Sequence, residues 1–187
     1  MGLPSGTLWA TCNVGANAPE NYGYYFAWGE TEPKGCYDWN TYKWCTGYPG
    51  SFLKYHPTVD NKVELDLGDD AAYVNWGASW HMPTLEQIQE LIENCTGQST
   101  TQNGVNGLLV TGPNGNTMFL PAAGDRNGDT LSSAGLGGYS WSRTLSSSDP
   151  SGAYSIVFSF DTGDGLREGH YYRYIGFPVR AVRVSQN

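Results

Sequence analysis

One short segment of this 187-residue chain has the residue types and spacing of a metal-binding loop. In residues 125–129, DRNGD, side-chain oxygens recur at alternate positions, as they do in calcium-binding loops. Leu136 stands where such a loop carries a bidentate Glu, and the arginine within the segment would oppose a cation. Calcium held by Asp125, Asn127 and Asp129 is therefore the one cofactor that the sequence suggests, and an ordinary Asn-Gly turn is the alternative.

The other titratable residues indicate structure more than catalysis. The histidines are distant from any Ser or Cys nucleophile motif, so no catalytic triad is predicted. They are His56, His81 and His170. The acidic run Asp66, Asp69 and Asp70 is interpreted as a helix cap and a solvated loop. We therefore expect a protein that is not an enzyme.

The four cysteines are dispersed at Cys12, Cys36, Cys45 and Cys95. Without a C-x-x-C pair they do not predict a zinc site or a thioredoxin-like motif. Loop spacing permits a disulfide between Cys36 and Cys45, and free buried thiols are the equal alternative.

Charge and hydropathy exclude two classes of partner. Ten basic residues against eighteen acidic residues give a net charge of −8, which would repel a nucleic acid. No apolar run reaches the ~18 residues that a membrane span needs, and the first residues do not resemble a signal peptide. Export by a leader outside this sequence, or carriage on a larger particle, stays open.

Composition predicts a single loop-rich domain over residues 1–187. With 25 Gly, 10 Pro and 14% aromatic residues, the chain is typical of short strands and ordered loops, with helix as a minor component. Residues 8–15 are predicted to form an opening strand, and residues 22–44 an ordered aromatic loop layer. Residues 107–111 and 117–120 flank a Pro-Asn-Gly-Asn turn, which predicts a hairpin.

Two short helices are predicted from capping residues. Asp69 or Asp70 can cap a helix that runs to Trp76. Thr84 and Gln87 have the spacing of a capping box, and the apolar stripe that follows predicts a helix up to about Gly97.

The segment from 136 to 184 combines a regular pattern of Gly, aromatic and Val residues with side chains of no common type. In residues 154–160, Tyr154, Ile156, Phe158 and Phe160 alternate with Ser155, Val157 and Ser159, which predicts a strand with one core face and one displayed face. An ordinary half-solvated strand is the alternative. Residues 170–174 form either an aromatic recognition patch or a buried strand end that carries Tyr172 and Tyr174 inward, and display is favoured for His170 and Tyr171.

Several segments together resemble the Fibrobacter succinogenes major paralogous domain family, common in gut Bacteroidetes. They are GLPSGTLWATCNVGA, YFAWGET, LDLGDDAA, NWGASWHMPTLEQ, NGLLVTGPNG, MFLPAAGDRNG, GGYSWS and GFPVRAV. The resemblance implies an α+β, C-type-lectin-like fold of the formylglycine-generating-enzyme branch, with two short helices around a twisted antiparallel sheet and adjacent termini. Many members are surface or secreted lipoproteins. At the x position of the family's W-x-M-P-T motif Arg is expected, but this chain has His81. One salt bridge that the resemblance implies is therefore in doubt.

The C-terminal segment is also similar to the variable proteins of diversity-generating retroelements, which include phage receptor-binding proteins. In these systems the adenines of a template repeat are replaced at random. An Asn codon can then become a codon for Ser, Asp, Tyr, His or Arg. Twelve of the thirteen Asn here lie in residues 1–127, and none lies between 128 and 186. Glu168 does not fit this codon route, so either its position is invariant or the hypothesis is partly wrong. The positions that the resemblance implies as variable and ligand-binding are Ser140, Arg143, Thr144, Ser155, Val157, Ser159, Asp161, Asp164, Leu166, His170, Tyr171 and Ile175.

The function expected is recognition of a surface protein or a glycan by this C-terminal region, in a protein that is extracellular, on the cell surface or carried on a virion. An adhesin or lipoprotein module without diversification is the alternative. An oxidase of the formylglycine-generating type needs a cysteine pair in its C-terminal portion, and no cysteine lies beyond Cys95.

Overall fold

The computed structural model describes residues 1–47 and 51–184. Within those ranges the helices are α1 (Ala71–Trp76) and α2 (Leu85–Asn94), preceded by a 3₁₀ turn at Leu67–Asp69. The strands there are β1 (Thr7–Trp9), β2 (Thr96–Gln102), β3 (Val105–Thr111), β4 (Thr117–Pro121), β5 (Asp125–Asn127), β6 (Thr130–Ser132), β7 (Gly137–Leu145), β8 (Gly152–Ser159), β9 (Arg167–Tyr172) and β10 (Val182–Val184). The predicted α+β class is confirmed. No helix in the described part of the chain is both long and apolar enough to cross a membrane.

The strands form several small antiparallel sheets. Their orders are β1-β10, β2-β3-β4, β5-β6 and β7-β8-β9. Thr7 pairs with Val184, so the two ends of the described chain lie side by side, as the family resemblance implied. The predicted hairpin is β3–β4, with Thr111 opposite Thr117. The opening strand is shorter than expected, and the polar strand β2 was not predicted.

The capping residues act as predicted. The Asp70 side chain accepts the amides of Ala72 and Tyr73 at 2.9 and 3.0 Å, which satisfies the first turn of α1. Thr84 and Gln87 form the capping box of α2. Helix α2 ends at Asn94, earlier than expected, because β2 begins at Thr96 and takes the chain into a sheet.

The salt bridge left in doubt by His81 is not replaced by a close ion pair. His81 Nδ1 lies 3.9 Å from Asp70 Oδ2, and the imidazole stacks on the Tyr73 ring at 5.5 Å. The buried Asp70 carboxylate instead accepts the Met82 amide through both oxygens, at 3.1 and 3.0 Å. Backbone amides therefore compensate this buried carboxylate.

Strand β8 lies between two hydrophobic clusters. Ile156 and Phe158 enter a cluster with residues of α2, β3 and β4. Ala153, together with Trp141 of β7, enters a second cluster that draws on several segments, among them Phe26 and Trp28 of the aromatic loop layer and Phe177. The predicted display of Ser155 and Val157 is wrong, because this cluster covers the second face of the sheet: Ser155 is 0% exposed and Val157 is 3% exposed.

A buried arginine links its own segment to the N-terminal loop, β4 and β7. Arg180 is 0% exposed, and its side chain donates to Asn13 Oδ1 at 2.8 Å, Ala10 O at 3.1 Å and Phe119 O at 2.9 Å. Its backbone amide donates to the Ser140 hydroxyl at 2.8 Å. Burial lowers the pKa of Arg180 to about 10, so the group is still protonated at neutral pH.

Arg180→Lys should destabilise the fold by about 2–4 kcal/mol, because an ammonium cannot reach all three acceptors and leaves buried oxygens unpaired. Denaturant unfolding would measure the loss. Arg183→Lys is the control, since Arg183 is exposed and should change stability by less than about 0.5 kcal/mol. Equal midpoints for the two variants would contradict the role given to Arg180.

Trp141→Ala should cost about 3–5 kcal/mol, because the indole is 0% exposed and its loss leaves a cavity. The indole nitrogen also donates to Phe26 O at 2.9 Å. Thermal unfolding with calorimetry would test this. A harmless substitution would invalidate the division between buried frame and displayed positions.

Candidate functional site

The residues with reactive or metal-ligating groups are not gathered into one centre. All four thiols are free, so the disulfide alternative is wrong: Cys36 Sγ donates to Asp38 and Cys45 Sγ to Gly47 O. The 125–129 segment consists of β5 and the turn that joins it to β6, with Gly128 in that turn at φ +62°. Burial raises the pKa of the Asp125 carboxyl. Among the residues described, no group of three or more His, Cys, Asp or Glu could hold a metal ion, and calcium binding stays a prediction.

Four of the predicted ligand-binding residues are buried. Ser140, Ser155, Val157 and Ile175 are 4%, 0%, 3% and 9% exposed. The Ser140 hydroxyl accepts the Arg180 amide, and Ile175 belongs to the core cluster with Trp141. The predicted display of Ser155 and Val157 is wrong, because hydrophobic clusters cover both faces of the β7-β8-β9 sheet. Ser140 and Ile175 were predicted as ligand-binding positions, and their side chains are buried as well.

Arg143 and Thr144 serve the fold where β7 meets α2. Arg143 donates to Leu65 O at 2.8 Å, with Nε 3.4 Å from a carboxylate oxygen of Glu64. The Thr144 hydroxyl accepts the amide of Leu85, the first residue of α2, at 3.0 Å. Both side chains are half-buried and lie apart from the remaining predicted residues.

The other predicted residues lie along β8, β9 and the loop that joins them. We call this hairpin region the C-terminal face; its predicted members are Ser159, Asp161, Asp164, Leu166, His170 and Tyr171. Asp161, Asp164 and His170 are exposed, and the other three are half-buried. Leu166 packs against the cluster beneath the sheet, so its side chain also supports the hairpin.

A cleft of about 210 Å³ opens at the end of this hairpin. We call it the Tyr172 cleft; it is lined by Asp149, Gly152, His170, Tyr171, Tyr172 and Ile175. Tyr172 pairs with Gly152 across β8 and β9, where a Cβ at residue 152 would lie 3.2 Å from Tyr171 O and 3.6 Å from Asp149 O, so backbone atoms bound the cleft on this side. Three predicted residues, His170, Tyr171 and Ile175, thus meet in one concave site, with Ile175 as its buried floor.

Tyr171, one of the lining residues, packs against aromatic residues of the core. Tyr171 packs edge-on against Tyr139 and Phe177, with ring centroids 5.5 and 5.3 Å away. Phe177 in turn contacts the Trp141 ring at 4.4 Å. Burial raises the pKa of the Tyr171 hydroxyl, and the nearby Arg167 lowers it by a smaller amount. The Tyr171 hydroxyl therefore stays a neutral donor and acceptor at physiological pH.

Tyr172 is the most exposed aromatic ring of the cleft. It is 48% exposed, stacks on Tyr174 at 5.9 Å with an interplanar angle of 17°, and meets the Trp39 ring at 5.9 Å. The alternative that carries Tyr172 inward is wrong. Successive side chains of β9 alternate, so Tyr171, for which display was favoured, is half-buried on the core side and Tyr172 is exposed. One side of Tyr172 is thus fixed by aromatic neighbours while much of the ring faces solvent.

Asp149 also lines the cleft, and neighbouring groups fix its carboxylate. The Ser151 amide and hydroxyl donate to its two oxygens at 2.9 and 2.8 Å. The Gly152 amide donates to the Asp149 carbonyl at 3.0 Å, which closes the turn. These contacts hold the carboxylate in place and leave each oxygen a further lone pair.

Sequence reasoning missed Asp149, Gly152 and Tyr172 as site residues. The signal was present in Asp149-Pro150-Ser151-Gly152, a turn sequence that directly precedes the recognised strand. The turn's position beside Tyr172 depends on the pairing of β8 with β9, which spacing alone does not specify.

A larger groove of about 480 Å³ lies elsewhere, beside β1 and the β3–β4 hairpin. Its lining includes Met1, Trp9 and Phe119 and contains no Asp, Glu, Lys, Arg or His side chain. None of the predicted ligand-binding residues reaches it. The Tyr172 cleft is therefore the better candidate, because it joins predicted residues to a fixed charge.

Comparison with protein-family models, with characterised proteins and with solved structures found no match to this chain.

Ser155→Tyr and Asp161→Tyr should have opposite outcomes, although both positions belonged to the predicted variable set. Tyrosine at the fully buried Ser155 overpacks the space beside Trp141 and should cost more than about 2 kcal/mol. The exposed Asp161 should accept tyrosine with a change within about 0.5 kcal/mol. Chemical denaturation of the purified variants would measure both, and a neutral Ser155→Tyr would contradict the burial of that position.

Proposed function

We propose that this chain is a non-catalytic recognition protein with a C-type-lectin-like domain, whose C-terminal face binds a surface partner. The mostly-sheet α+β architecture, the two short helices and the adjacent chain ends are compatible with that fold. In this proposal the protein acts outside the cell, on the cell surface or on a virion. The motif resemblance supports the fold assignment.

The observation that carries the proposal is the contrast within the β8–β9 hairpin. Its exposed side chains are chemically mixed, whereas the residues beneath them form a dense aromatic base. A rigid base with varied projecting groups favours recognition, because little side-chain order is lost when a partner binds.

The geometry restricts which positions a retroelement could diversify. Random replacement at Ser140, Ser155, Val157 or Ile175 would place bulky or charged groups in the core. We therefore confine diversification to the C-terminal face. Glu168 accepts a hydrogen bond from Gln89 of α2 at 2.9 Å, which gives this residue a positional role and supports an invariant codon there.

A protein partner fits this surface better than a glycan. The exposed tyrosine offers a large contact area at low entropic cost, and the hairpin carries Asp161, Asp164 and Glu168 as charged groups. An adhesin with the same fold and an undiversified face would use the same surface. Only variation among copies of the gene separates these two proposals.

Sequencing the locus and its flanks from the source DNA should reveal a near-identical template repeat and an adjacent reverse-transcriptase gene. The repeat should differ from the gene at adenines within the codons of Asp161, Asp164, His170 and Tyr171. The codons of the four buried positions serve as an internal control and should match the template.

Adenine differences concentrated at the four buried codons would contradict the restricted set. A locus without any repeat would remove diversification from the proposal and leave an undiversified surface module.

A further inference from the structure

The geometry points to the Tyr172 cleft as a receptor for the guanidinium group of an arginine side chain on the partner protein. This inference deepens the proposed function and depends on it, since it assigns the chemistry of the contact that the C-terminal face would make. Three features carry the inference: a fixed carboxylate, an exposed aromatic face and a favourable overall charge.

The first feature is the Asp149 carboxylate. Its contacts with Ser151, at 2.9 and 2.8 Å, orient the group without neutralising it, because both donors are uncharged. No ion pair to Asp149 is found among residues 1–47 and 51–184. A half-buried anion in a concave site is best compensated by a bound cation.

The second feature is the aromatic wall. Tyr172 is held by Tyr174 and Trp39 and presents much of its ring to solvent. The negative face of an aromatic ring attracts a cation, and a planar guanidinium can also stack on it. A carboxylate beside an aromatic face therefore selects a guanidinium over a neutral group of the same shape.

The third feature is the overall charge of the protein, together with the small size of the cleft. The cleft has a volume of about 210 Å³, so it suits one side chain more than a folded segment. The net charge of −8 attracts a cationic partner before contact is made. The His170 side chain also belongs to the lining of the cleft.

NMR titration at pH 8 and low salt can test the inference with three blocked tripeptides, whose central residue is arginine, lysine or citrulline. Citrulline replaces the guanidinium with a neutral urea of nearly the same shape. The arginine peptide should shift the resonances of His170, Tyr172 and Ile175, with a dissociation constant on the order of 1–10 mM. The lysine peptide should bind more weakly, and the citrulline peptide should cause no saturable shift.

Variants locate the effect within the cleft. Asp149→Asn keeps the size of the side chain and should weaken arginine binding by roughly tenfold or more. Tyr172→Leu should weaken it by about two- to fivefold, and because Tyr172 is half-exposed this variant should fold even if Asp149→Asn does not. Glu93→Gln removes one negative charge from an exposed position on α2 and should leave binding unchanged.

Equal shifts with arginine and citrulline, shifts elsewhere on the protein, or full binding by Asp149→Asn would each overturn the inference. Saturable binding of methyl glycosides at these residues, without arginine binding, would also overturn it. The proposed function can survive the loss of this inference. A partner that binds the C-terminal face through Asp161 and Asp164, without arginine in the cleft, removes only this inference.

Discussion

The fold depends on a buried positive charge that has only neutral oxygen partners. Arg180 is completely enclosed, and its guanidinium donates to two carbonyls and one amide oxygen drawn from the N-terminal region and β4. Each donor must meet its acceptor, because an unpaired buried group costs on the order of 1–3 kcal/mol. Arg180 therefore sets the relative positions of the N-terminal loop, the β3–β4 hairpin and β7.

A second buried arginine joins Trp28 and Tyr55 to the end of β9. Arg173 is 0% exposed, donates to Tyr55 O at 2.8 Å, and accepts the Trp28 amide at its carbonyl at 2.8 Å. Trp28 and Tyr55 belong to the cluster that covers the face of the β7-β8-β9 sheet that the strand pattern would leave in solvent. The candidate site is consequently limited to the hairpin and its adjoining cleft, the part of this sheet that the cluster leaves open.

The cleft presents an aromatic ring to solvent because Tyr171 packs on the core side of β9 and Tyr172 points the other way. One ring contacts Phe177 in the core, and its neighbour turns toward Trp39 and solvent. Asp149 also lines the cleft. Rigidity and exposure are thus combined within two consecutive residues, which is what selective recognition by a small surface requires.

The sequence by itself determined the helix caps and the hairpin turn, because each depends on residues that are close together in the chain. The Asp70 cap, the Thr84 capping box and the Asn-Gly turn of β3–β4 each involve neighbours within a few residues, so their spacing was sufficient. The tertiary structure alone decided which side chains of the 136–184 segment face solvent. Alternation along β8 separates two faces but does not say whether another layer covers the second one. Ser155 is buried because Phe26, Trp28 and Phe177 join Trp141 in a cluster on its side of the sheet, and two of these residues lie more than a hundred positions away, where a local pattern does not reach.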